Sequence, residues 1–148
     1  MQINNMKKPI GLFFYKKQIH AITYDNGITI LYTDETYVIK HHLVYVLNAL
    51  LMAHLHTFDG YVKAFKHMFN KHILIPIMLD EACVMLPMYG YKNQHNVMIN
   101  IYALKSLESS QQGCLLTLKN GQTLDVFKSC RTIKKQVEKT IHLHESFK

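Results

Sequence analysis

The sequence predicts an α+β fold: a predominantly antiparallel β-sheet with two central helices and a C-terminal helix. Three observations carry that prediction. Turn signals at Asp25-Asn26-Gly27, Asp34-Glu35 and Lys119-Asn120-Gly121 separate short alternating apolar runs, the signature of hairpins. Two helical stretches stand together in the middle of the chain. The regular strand and helix alternation that builds a parallel sheet is missing.

The elements follow in order. The runs "LFFY", "QIHAITY", "ITILYT" and "TYVIK" read as strands of a meander ending near Lys40. Helices are expected from His42 to His56 and from about Asp59 to Asn70. The second puts Val62, Phe65 and Phe69 on one face and Lys63, Lys66 and His67 largely on the other. From Ile73 strands return as "ILIPIM", "ACVMLPM" and "NVMINIYALKSLE", followed by a hairpin through Leu115, Leu116 and Leu118, the Asn120-Gly121 turn, and Leu124, Val126 and Phe127. Ser129 is a fitting N-cap for the last helix, where Ile133, Val137 and Ile141 recur every four residues and Lys134, Lys135 and Lys139 take the opposite side. Residues 1–148 read as one compact domain, with a subdivision near residue 71, at Lys71, as the alternative.

Seventeen Lys and Arg against ten Asp and Glu give a net charge of +7. Such a balance favours a polyanionic partner such as DNA, RNA or an acidic surface, although a basic soluble protein needs no such partner. All the cations except Arg131 are lysine, so bidentate guanine contacts cannot dominate recognition. Three cysteines, Cys83, Cys114 and Cys130, lie far apart without a Cys-x-x-Cys pair. Reduced structural thiols in a cytoplasmic protein are the expectation. The apolar run from Gly11 to Tyr15 is too short for a secretory leader, and Leu43 to Leu55, with Asn48 and His54 inside it, falls short of a bilayer span. Ten histidines include "HLH" at 54–56 and 142–144, yet no cysteine or carboxylate keeps ligand spacing with them. No metal or other cofactor is expected. Asp80-Glu81 beside Cys83 reads as a turn before a strand with a core thiol rather than a nucleophile site, and no catalytic residue is assigned.

The order of elements resembles the ComK family of bacterial competence transcription factors over roughly residues 37 to 143. The resemblance rests on Gly60 at the opening of the second helix, on Ile75-Pro76-Ile77 with Lys71 upstream, and on Leu86-Pro87-Met88-Tyr89-Gly90. It continues through Val97-Met98-Ile99, Asn120-Gly121 and the helix holding Gln136 and Val137. The family's Gly-Arg is Gly60-Tyr61 here, and its Phe-Pro-Thr-x-Ser has lost Phe, Thr and Ser. The stretch from Val97 to Lys139 also resembles, more weakly, the second half of a LytTR-type DNA-binding domain.

The resemblance implies a DNA-binding regulator of transcription with a taste for AT-rich duplexes, reached through the minor groove. It also implies a homodimer or higher oligomer, with "VMINIY" or the Leu43 to Leu55 helix offering the surface. Lysines track phosphates, whereas Asn and Gln amides can reach the acceptors of A·T pairs. "YGYKNQHN", residues 89–96, is expected to be an exposed connection carrying Lys92, Asn93, Gln94 and Asn96 toward DNA, with an ordinary solvated loop as the equal alternative. Lys63 and Lys66 on the second helix, and Lys128, Arg131, Lys134 and Lys135 at the last, complete the candidate DNA-binding set. The other reading is a protein-interaction module, an adaptor or inhibitor with a regulatory protein partner, on a ComK-like scaffold that has lost DNA binding.

Overall fold

The computed structural model describes residues 9–69 and 74–147; Lys71 and the Ile73 start of "ILIPIM" lie outside the described residues. Within them the chain runs α1 (Ile10–Phe14), β1 (Ala21–Asp25), β2 (Ile28–Tyr32), β3 (Thr36–Ile39), α2 (Leu43–Met52) and α3 (Phe58–Phe69). It continues through β4 (Ile77–Asp80), β5 (Cys83–Pro87), β6 (His95–Asn100), a 3-10 turn (Ile101–Ala103), β7 (Leu104–Ser109), β8 (Cys114–Leu118), β9 (Thr123–Val126) and α4 (Cys130–Glu145). One sheet has the order β3-β2-β1-β6-β5-β4 and a second has β7-β8-β9. Every pairing is antiparallel, so the α+β expectation holds.

The turns form for the expected reason. Asn26 and Gly27 take φ of 43° and 91°, the positive pair that a two-residue hairpin needs to match strand twist. After β3 the chain crosses through α2 and α3, enters the far edge at β4 and works inward, until β6 pairs with β1 at the sheet's centre. Alternation along the strands then sorts the core into two layers. Ile22, Tyr24, Met85 and Met98 face a cluster with Phe14 of α1 and Leu43, Val46, Leu47 and Leu50 of α2. Ala21, Val84, Leu86 and Ile99 face Cys114, Leu116, Leu118, Ile133 and Val137 from the second sheet and α4. Strand β5 is buried throughout because it lies between both layers.

Four expectations need correction. "LFFY" is helical, in α1, because an apolar run this short has no periodicity to separate helix from strand, and packing decides: Gly11 and Phe14, one turn apart, bury, the glycine against the backbone of Ala49 in α2. "NVMINIYALKSLE" is not one strand. It breaks at Asn100, which is fully buried; its Oδ1 accepts from Val84 N (3.3 Å) and Tyr102 N (3.2 Å), and its Nδ2 donates to Ile19 O and Ala82 O, both at 3.0 Å. That corner sends β7 into the second sheet. "VMINIY" cannot lend a strand row to a second copy, since β6 is hydrogen-bonded on both sides, to β1 and β5. Finally, Cys114 and Cys130 are joined in a disulfide with Cα atoms 5.0 Å apart; the hairpin β8-β9 folds the intervening residues back on themselves, a proximity that linear spacing hides. Cys83 is a buried free thiol.

Candidate nucleic-acid interface

The connection between β5 and β6, residues 88–94, is polar in side chains and tightly specified in backbone. Asn93 N donates to Gly90 O (3.0 Å) and Asn26 N donates to Gln94 O (2.9 Å), tying the loop to the β1-β2 turn. The Asn93 Oδ1 accepts from His95 N (2.9 Å), and His95 Nδ1 lies 2.8 Å from the Asp25 carboxylate. On the other side the Tyr91 hydroxyl donates to Ile75 O and its ring meets Phe58 of α3 edge-on, with centroids 5.2 Å apart. Burial pushes the Tyr91 hydroxyl well above its ordinary pKa, so it stays a neutral donor. Lys92, Asn93, Gln94 and His95 are left exposed on this frame.

Asn96 was expected in the same exposed set, and this is corrected. It belongs to β6 and is 2% exposed. Its Oδ1 accepts from Tyr89 N (3.2 Å) and Val97 N (2.9 Å), while its Nδ2 donates to Tyr89 O (3.0 Å) and Gly90 O (3.1 Å). Those four bonds fill the amide's capacity. Asn96 shapes the loop from within and has no valence left for a base.

The loop is joined to the start of α4 by Tyr89. Its hydroxyl accepts the Phe127 N–H at 2.8 Å, and Lys128 Nζ sits 6.0 Å from its ring centroid, within cation–π reach. Lys128 Nζ also donates to Gln136 Oε1 (3.4 Å), and partial burial lowers its pKa. Ser129 caps the helix as expected, its Oγ accepting from Thr132 N at 3.1 Å, and the disulfide at Cys130 fastens the first helical residue to β8. Ile133 and Val137 are buried, which turns Arg131, Lys134 and Lys135 to solvent.

Tyr89 is thus the link between this connection and Lys128 at the head of α4, whereas Asn93 and Gln94 are tied toward the β1-β2 turn. Lys63 and Lys66 stand further along α3, which meets the loop at Phe58; both are exposed, and Lys63 pairs with Asp59 at 3.0 Å. An exposed pair of this kind contributes about 0.3–0.5 kcal/mol. Two features escaped the sequence reading. Tyr89 bonds across to the main chain of Phe127, and Phe127 is 72% exposed instead of continuing the apolar strand. The second was legible in principle: Val126 and Phe127 are adjacent, and neighbours in a strand cannot share a face.

Among the described residues, no group of three or more His, Cys, Asp or Glu is placed to hold a metal ion, and no helix is long and apolar enough to cross a membrane. A family model described as ComK protein matches residues 16–148, nearly the whole chain, and the protein is thus a member of the ComK family of competence transcription factors. No curated protein matches the chain, and no solved structure does.

Proposed function

We propose that this ComK-family chain binds AT-rich duplex DNA, with lysines on phosphates and the β5-β6 loop in the minor groove. One observation supports the reading: the Tyr89 hydroxyl bond to Phe127 N–H ties the start of the polar connection to the segment that leads into the lysine-bearing helix. Lys92, Lys128, Arg131, Lys134 and Lys135 supply counterion release, with Lys63 and Lys66 as outlying contacts. Asn93 and Gln94 supply the amides that reach A·T acceptors. The minor-groove pattern is degenerate, so the preference is for A·T over G·C and not for one exact sequence.

The test is a mobility-shift titration of AT-rich and GC-rich duplexes at two salt concentrations. Affinity should fall steeply with salt and favour the AT-rich duplex; a parent protein that shifts neither duplex sinks the reading. Self-association on DNA is part of the proposal. With β6 enclosed, exposed Val44, Tyr45 and Met52 of α2 and Leu55 just beyond it are the remaining part of the expected surface, and sedimentation of the complex reads the stoichiometry.

A second reading, the protein-interaction module, draws on a different place. A groove of about 440 Å³ is lined by Phe65, Met68 and Phe69 of α3, Met78 of β4, and Phe147 beyond α4. Apolar grooves with exposed methionine are common protein-docking surfaces. This reading gains if the chain shows no salt-sensitive DNA binding.

A further inference from the structure

Phe127 is the most exposed phenylalanine or tyrosine among the described residues, at 72%, yet the main chain that presents it is held on three sides. Its N–H donates to the Tyr89 hydroxyl at 2.8 Å. Beneath it, a Cβ added to Gly113 would stand 2.6 Å from Val126 O and 2.7 Å from both Lys128 N and Lys128 O. The segment therefore rests directly on bare backbone, which only glycine permits. Three residues further on, Cys130 is bonded to Cys114, the neighbour of that glycine. A ring that merely lacked a place in the core would not need so fixed a base. Two cations flank it along the chain, Lys128 next to it and Arg131 exposed on the first turn of α4, while the nearby carboxylate, Asp125, takes the Ser110 hydroxyl at 2.7 Å.

We propose that Phe127 is an apolar wedge that enters the minor groove and slips between two base pairs of the bound duplex. The inference rests on the DNA-binding reading above and adds to it a mechanism of preference. Minor-groove proteins that kink DNA press a rigidly held apolar side chain between base steps while nearby cations hold the phosphates. A ring stacks on any base, so the wedge reads deformability and not hydrogen-bond pattern. Pyrimidine–purine steps unstack most easily, and TA steps occur only in A·T sequence. Selection of AT-rich duplexes then comes partly from Phe127 and is strongest where a TA step lies under the ring.

The chain has nine tyrosines but no tryptophan, so Phe127→Trp introduces a single indole, excited selectively at wavelengths where tyrosine does not absorb, at the point in question. On titration with an AT-rich duplex containing a TA step, its emission should be quenched and its access to acrylamide should fall severalfold. Phe127→Ala should bind that duplex about tenfold more weakly, within the range for one lost base stack. The salt slope should match the parent's, and the bend should be lost, as read by energy transfer between dyes on the duplex ends. Because the side chain is exposed, both variants should melt within about 2 °C of the parent. An alanine variant that binds and bends the duplex like the parent overturns the wedge while leaving the DNA-binding reading intact. The wedge is equally overturned if the indole stays open to acrylamide in the complex, or if its emission responds to protein concentration and not to DNA. A parent that binds no duplex overturns both.

Discussion

Asn93 and Asn96 are three residues apart in one polar stretch, and the structure predicts opposite consequences for losing them. Asn96→Ala deletes four hydrogen bonds, three of which fasten the backbone of Tyr89 and Gly90. At a net of about 1 kcal/mol for each of those three, the substitution should cost about 3 kcal/mol. For a chain of this size that corresponds to a fall in Tm of about 6–12 °C. Asn93→Ala removes one bond, to His95 N in an exposed turn, and should stay within about 0.5 kcal/mol of the parent. Thermal melting followed by far-ultraviolet circular dichroism measures both. DNA binding should divide them the other way: at a temperature where both variants are folded, Asn93→Ala should lose about 1–3 kcal/mol on an AT-rich site and leave non-specific binding unchanged. Asn96→Ala should loosen Tyr89 and with it the Phe127 N–H contact, weakening all duplexes. An Asn96→Ala protein that melts within about 1 °C of the parent would refute the reasoning, because its buried amide could then not be what holds the loop.

Three further outcomes are expected. Reducing the Cys114–Cys130 bond, which closes a loop with a sequence separation of 16, should lower stability by about 3 kcal/mol on the chain-entropy account; melting with and without a dithiol, alongside a thiol titration that finds only Cys83 reactive in the denatured oxidised chain, tests this, and three reactive thiols there would refute it. Lys134→Ala with Lys135→Ala should weaken AT-rich and GC-rich duplexes alike and flatten the dependence of log K on log salt by up to about 0.9 for each lost phosphate contact; a loss confined to one sequence would contradict a phosphate role. Burial, and after it the Asp80 carboxylate, pushes the Cys83 thiol from 9.0 up to about 12, so the folded state favours the neutral thiol and this contribution to stability is complete below pH 9 and fades as pH rises toward 12. Iodoacetamide at pH 8 should therefore leave Cys83 unlabelled until the chain is denatured, and ready labelling of the native protein would show that the thiol is not held this way.

Local chemistry made much of this protein legible. Asn26-Gly27 forms the tight turn because those residue types accept positive φ, and Ser129 caps α4 because a hydroxyl there satisfies an otherwise orphaned N–H. The four-residue spacing of Ile133 and Val137 identified the buried face of α4, and so which lysines meet solvent. The family, too, was readable from the order and spacing of elements, because those survive when individual motif residues have changed. Tertiary structure decided what depends on who the neighbours are. "LFFY" became a helix because α2 offered a surface to Gly11 and Phe14. Asn96 and Asn93 carry the same side chain in the same polar run, yet one is consumed by the backbone of its own loop while the other faces water. Cys114 and Cys130 met because a hairpin reversed the chain between them. Phe127 was left outside because Val126 took the inward position beside it. Side-chain type and spacing act within a few residues and can be read along the chain, whereas burial and pairing are set by contacts between segments distant in sequence, which form only when the fold brings them together.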